Sequence, residues 1–114
     1  MSEKYDYFIS AGEPSGDVLG GELVKTLNKR DSDIKGFGVV GPNMRAEGVR
    51  AIADIEELSV MGFIEVFKQI GSIKSLEIKI VEYVRRYNPK VAILIDYPGF
   101  HMRLAPTLRS MGVY

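Results

Sequence analysis

The sequence of 114 residues predicts an α/β fold, a parallel sheet with helices on both faces. Two observations carry that expectation. Short runs rich in aromatic and β-branched residues alternate with segments whose apolar residues recur every three or four positions. The run Val91 to Ile95 is apolar without interruption, as a strand covered on both faces by helices must be. The 12 glycines punctuate the joints between segments and form no linker or repeat, so a single domain is expected.

Tyr5 to Ser10 reads as the first strand, ended by Ala11-Gly12. Ser15-Gly16-Asp17 then opens a helix whose apolar stripe is Val18, Leu19, Leu23 and Leu27. Ser15 suits its N-cap, Asp17 its positive start, and Lys29-Arg30 its negative end. Ile34 to Val40 is a second strand, and Pro42 to Gly48 a short helix with Pro at its start and Gly at its end. Ala51 to Leu58 reads as a short strand and loop, and Met61 to Ile70 as a separate, strongly apolar helical segment. Ile73, Leu76, Ile80, Val84 and Tyr87 mark one helix stripe, which Pro89 stops before the strand Val91 to Ile95. Met102 to Met111 is the last helix, and Val113-Tyr114 resembles the opening of another strand. The domain over residues 1–114 is therefore expected to be incomplete, with right-handed crossovers between its strands.

Hydrophobic residues make up 46% and charged residues 26%, a balance that excludes disorder. Cysteine is absent, which excludes a disulfide scaffold and a thiolate metal site and suits a reducing cytosol. The N-terminus has no apolar core of a secretory signal, and no run approaches a membrane span. The expectation is a cytoplasmic chain that at most lies on a membrane surface. The zero net charge divides unevenly: residues 1–57 hold 7 basic against 11 acidic side chains, and residues 58–114 hold 8 against 4. That is too weak a basic excess for a nucleic-acid binder. A mildly basic half suits phosphate groups or an anionic lipid surface, and equally a solvated helix face.

In an open parallel sheet, ligands bind beyond the carboxyl ends of the strands. Two segments fall there. The first is Gly12-Glu13-Pro14-Ser15-Gly16-Asp17, in which Gly12 and Gly16 permit close backbone approach and the helix start offers free N–H groups. Glu13 makes this a poor phosphate cradle and a better partner for a sugar hydroxyl or amine. Plain helix capping by Ser15 and Asp17 is the competing reading. The second is Asp96-Tyr97-Pro98-Gly99-Phe100-His101. A carboxylate directly after a buried strand is partly desolvated, which lifts its pKa toward that of a general base. The same Asp also suits a turn before Pro98-Gly99. His101, the one histidine, either assists Asp96 or caps the following helix.

Gly36-Phe37-Gly38-Val39-Val40-Gly41 fits G-x-G-x-x-G, but its glycines lie in the second strand, whereas a dinucleotide fingerprint follows the first. No P-loop, nucleophile elbow or metal-ligand spacing occurs, so no cofactor and no metal are expected. In Met61 to Ile70, the residues Phe63, Ile64, Val66, Phe67 and Ile70 are more apolar surface than a one-sided helix needs, and Met61, Phe63, Ile64, Phe67 and Ile70 are the candidate contacts. That surplus suits acyl chains or a membrane, and also a helix buried between neighbours.

Four segments, in order and spacing, resemble the N-terminal domain of the lipid-A-disaccharide synthase family. They are Ser10 to Asp17, Val40 to Gly48, Glu57 to Val66, and Ile95 to Phe100. The likeness covers essentially the whole chain and about the first third of such an enzyme. It implies the acceptor-side, Rossmann-like half of a two-domain GT-B glycosyltransferase, with the UDP-sugar-binding half elsewhere. It further implies transfer of diacylglucosamine from its UDP donor, a substrate, to the 6-hydroxyl of diacylglucosamine 1-phosphate (lipid X). The configuration inverts and no metal takes part. On this resemblance Asp96 is the base, Gly12, Glu13, Ser15, Gly16 and Asp17 line the cleft, and Met61 to Ile70 meets acyl chains or the inner membrane. The fragment alone is expected to be inactive. Val40 stands where small residues are usual, and His101 where Asn is common. Another UDP-sugar enzyme of this architecture, or a non-catalytic lipid- or nucleotide-binding module, is the alternative.

Overall fold

The computed structural model describes residues 4–56, 66–96 and 98–114, and of residues 66–73 and 98 it describes the backbone alone. Its elements are β1 (Tyr7–Ala11), α1 (Pro14–Arg30), β2 (Gly36–Val40), α2 (Pro42–Ala46), β3 (Arg50–Asp54), α3 (Val66–Tyr87), β4 (Val91–Ile95) and α4 (Pro98–Ser110). The strands form one sheet in the order β3-β2-β1-β4, and each neighbouring pair is parallel. Strand order runs one way from β1 through β2 to β3 and reverses to reach β4. Helix α1 packs on α2, and α3 on α4. With right-handed crossovers the reversal puts these two pairs on opposite faces, a Rossmann-like arrangement as expected.

Strand β1 is the axis of the fold, paired on both edges and buried at all five positions. Its side chains Phe8 and Ile9 join Phe37, Val39 and Val40 of β2, Ile80 and Val84 of α3, and Leu104 and Leu108 of α4 in one core. Fully burying a side chain of this size contributes about 1.5–3 kcal/mol, so this cluster supplies most of the driving force for folding. The glycines of the G-x-G-x-x-G segment belong to that packing. A Cβ at Gly36 would lie 2.1 Å from the Tyr7 ring, and one at Gly41 2.6 Å from the Asp17 carboxylate carbon.

Several expectations need correction. Helix α1 begins at Pro14 with Glu13 as N-cap, so Ser15 lies inside the first turn. Its buried face is Gly16, Asp17, Gly20, Gly21 and Val24, while Val18, Leu19 and Leu23 are exposed. The cause is close approach to α2: a Cβ at Gly20 would meet the Met44 sulfur at 2.5 Å and one at Gly21 the Asn43 Cβ at 3.0 Å, so glycine suits these two positions. Val66 to Ile70 is not a separate segment but the start of α3, which runs unbroken to Tyr87. Helix α4 begins at Pro98, four residues earlier than its apolar pattern, and carries Pro106 within it. Strand β4 is only half-buried, with Val91 41% exposed, because it pairs with β1 on one edge alone. Beside its other edge, Tyr114 donates its N–H to the Lys90 carbonyl and accepts from the Ala92 N–H, as a parallel neighbour would.

Candidate active site

The reversal of strand order lies between β1 and β4, and the chain leaves both strands there into the expected segments. After β1, Gly12 is half-buried and Glu13 exposed, and Pro14 sets the first helical position of α1. No side chain caps this helix start. The first closing bond is from the Asp17 N–H to the Glu13 carbonyl, at 3.1 Å. The N–H groups of Ser15 and Gly16 precede that bond, at the end where the helix carries partial positive charge.

After β4, Asp96 turns the chain with φ of 54°, the left-handed region that non-glycine residues seldom occupy. Its side chain lies beside α1: Asp96 Oδ2 is 3.7 Å from the place a Gly16 Cβ would take, with Ala11 Cβ and Ile95 Cγ2 nearer still at 3.1 and 3.3 Å. Gly16 thus lets α1 close on the ends of β1 and β4 and brings its start to the Asp96 carboxylate. The residue is exposed, so the desolvation expected from a buried strand is not its situation.

Asp17 departs furthest from expectation. It is 1% exposed and turns its carboxylate away from this cleft toward α2. Oδ1 accepts from the N–H groups of Gly41 and Met44 at 3.0 and 3.1 Å. Oδ2 accepts from the Asn43 N–H and amide at 2.8 and 3.0 Å. Its lone pairs are committed to capping α2, so Asp17 fixes the frame beneath the cleft rather than a face of it.

His101 lies in the first turn of α4, 5% exposed, and joins the two strand ends. Its Nδ1 meets the Asp96 carbonyl, which can only accept, so Nδ1 carries the proton. Nε2 then accepts from the Ser10 hydroxyl at 2.9 Å. Burial lowers the His101 pKa below 6.5, against the opposing pull of the Asp96 carbonyl and charge, which favours this neutral ring. Sequence reasoning missed Ser10. The available signal was a small polar serine among the aromatic and aliphatic residues of Tyr7-Phe8-Ile9-Ser10-Ala11.

Nearby, Arg45 of α2 bridges Asp54 at the end of β3 at 2.8 Å and also pairs with Glu56. That guanidinium holds the Glu56 carboxyl at about 2. Two surface grooves lie away from Asp96. One of about 490 Å³ includes Lys74, Glu77, Arg85 and Arg103, and one of about 730 Å³ runs along β4 past Leu94, Leu108 and Tyr114. Among the described residues no helix is long and apolar enough to cross a membrane. Met61, Phe63 and Ile64 lie outside the described residues, and Phe67 and Ile70 fall on α3 with no side-chain description.

Residues 7–114 match the profile of the lipid-A-disaccharide synthetase family. The chain belongs to that family. The lipid-A-disaccharide synthase of Chlamydia felis is 41% identical over 108 residues, covering 95% of this chain and 17% of that protein. That of Photobacterium profundum is 38% identical over 105 residues, 92% of this chain and 28% of its own length. That of Chlamydia trachomatis serovar D is 42% identical over 105 residues, covering 92% and 17%. The chain therefore spans 17% to 28% of the length of these synthases.

Proposed function

We propose that this chain is part of the acceptor-side half of an inverting GT-B glycosyltransferase that makes the lipid A disaccharide. The donor is UDP-2,3-diacylglucosamine and the acceptor is 2,3-diacylglucosamine 1-phosphate. The acceptor 6-hydroxyl oxygen attacks the anomeric carbon, the bond from that carbon to the UDP oxygen breaks, and UDP leaves with the electron pair. The hydroxyl proton passes to the Asp96 carboxylate. A single displacement inverts the anomeric centre and needs one base. The observation that carries this reading is the placement of Asp96 at the strand-order reversal, against the start of α1, in a chain of this family.

In this reading Gly12, Glu13, Ser15 and Gly16 receive the acceptor sugar. The exposed Glu13 meets hydroxyl or amide groups, and the Ser15 and Gly16 N–H groups meet oxygen atoms. Met61 to Ile70 holds acyl chains or rests on the inner membrane, to which the protein is peripheral on the cytoplasmic side. The donor site belongs to a second, UDP-binding domain of the longer synthase, and the reaction uses no cofactor or metal.

The test is to supply a full-length synthase carrying this domain with both substrates. The expected products are the β-1,6-linked disaccharide 1-phosphate and an equal amount of UDP, whereas the 114-residue chain forms neither. UDP release without disaccharide, or a retained anomeric configuration, contradicts the reading.

A further inference from the structure

The left-handed conformation of Asp96 has a partner that holds it. A non-glycine residue stays in this region only where its surroundings over-determine it. Here the surroundings are the His101 ring, whose Nδ1–H binds the Asp96 carbonyl and whose Nε2 is bound by the Ser10 hydroxyl. Ser10 lies on β1, which is paired on both edges, and is 1% exposed. The ring itself is carried on α4, which Phe100, Leu104 and Leu108 seat in the core. The main chain at Asp96 is thus tied through one imidazole to an interior strand of the sheet.

We infer that His101 is a positioning residue: it fixes the Asp96 backbone so that the carboxylate projects toward the start of α1, and Ser10 fixes His101. In this arrangement His101 is not placed for proton transfer, since its Nδ1 proton is given to a main-chain carbonyl and its Nε2 is bound by the buried Ser10 hydroxyl. The inference rests on the reading of Asp96 as the base for its effect on turnover, but its structural part stands apart from that reading.

Substitutions separate the two ring nitrogens. The amide nitrogen of Asn occupies the Nδ1 position and can still donate to the Asp96 carbonyl, whereas that of Gln reaches the Nε2 position. In the full-length synthase, His101→Asn is expected to keep kcat within about threefold. His101→Gln is expected to lose about 10- to 100-fold in kcat with KM little changed, the scale of a reacting group displaced by under an ångström. Nitrogen-15 NMR of this chain should show a protonated Nδ1 and an unprotonated Nε2. The strong intraresidue HN–Hα NOE of a positive-φ residue should be present at Asp96 in the wild type and His101→Asn, and weakened in His101→Gln. Should His101→Gln not fold, Ser10→Ala carries the same test, with an expected several-fold loss of kcat and a shifted Nε2 resonance. A His101→Gln or Ser10→Ala protein with the NOE and kcat of the wild type overturns the inference. Asp96→Asn with full turnover instead overturns the base reading and leaves the NOE result to decide the structural tie.

Discussion

At the amino ends of the strands, Tyr5, Phe37, Tyr83 and Tyr87 lean on one another with ring centroids 4.5 to 5.5 Å apart. At the carboxyl ends stand an exposed Glu13, an exposed Asp96 in a left-handed conformation, a helix start without a side-chain cap, and a buried imidazole. The first end is aromatic area with its polar tips at the rim. There, burial raises the Tyr7 hydroxyl to about 12, so it stays neutral at any ordinary pH. The second end presents exposed carboxylates around a residue in the left-handed region. Aromatic packing is concentrated at one end of the sheet and exposed polar groups at the other, and it is at the carboxyl ends that doubly wound sheets bind ligands.

Three perturbations probe that division. The largest effect is expected from Phe37→Ala, which opens a cavity at the aromatic end and costs about 3–5 kcal/mol in denaturant unfolding. A cost under about 1 kcal/mol would remove the aromatic cluster from its anchoring role. Next comes Asp17→Ala, which strands the buried N–H groups of Gly41 and Met44. It should cost about 2–4 kcal/mol, with Asp17→Asn less harmful because the amide oxygen still accepts. If Asp17→Ala keeps full stability but loses substrate binding, Asp17 faces ligand after all.

The smallest effect is the pH dependence. Glu56 is held at about 2 by Arg45, against 4.5 for a free group, so its contribution is complete above 4.5 and lost as pH falls toward 2. His101 acts in the same direction at a higher pH. Its folded-state pKa lies below 6.5, so the unfolded chain takes up the proton first and stability begins to fall as pH drops below 6.5. Unfolding followed from pH 8 to about 2 should lose the lower part of the acid-dependent slope in Glu56→Gln and the upper part in His101→Asn. An unchanged slope in both would mean other groups set it.

Most of the fold is legible in the sequence because strand and helix periodicities are local. Val91 to Ile95 reads correctly to the residue, and Pro42 starts α2 as its fixed φ dictates. The buried face of α1 is not legible in this way. Apolar periodicity points to Val18, Leu19 and Leu23, yet the face that meets α2 must be nearly flat, so glycines occupy it and the larger residues turn outward. The site divides similarly. Asp96 and the turn after β1 are legible from their positions directly after apolar strands. Asp17 misleads, since a carboxylate in a first turn gives no sign that its partners lie on another helix. The Ser10–His101 pair spans 91 positions and exists only because β1 and β4 are neighbours in parallel register. No periodicity of one segment contains it.

The central claim is that Asp96 serves chemistry without carrying stability, and Asp96→Asn in the full-length synthase tests it most directly. Turnover and unfolding free energy are measured on the same preparation. The expected result is a fall in kcat of about 10²- to 10⁴-fold, the range for loss of a general base, with unfolding free energy within about 0.5 kcal/mol of the wild type. Turnover near the wild-type value, or a loss of turnover matched by a loss of stability, contradicts it.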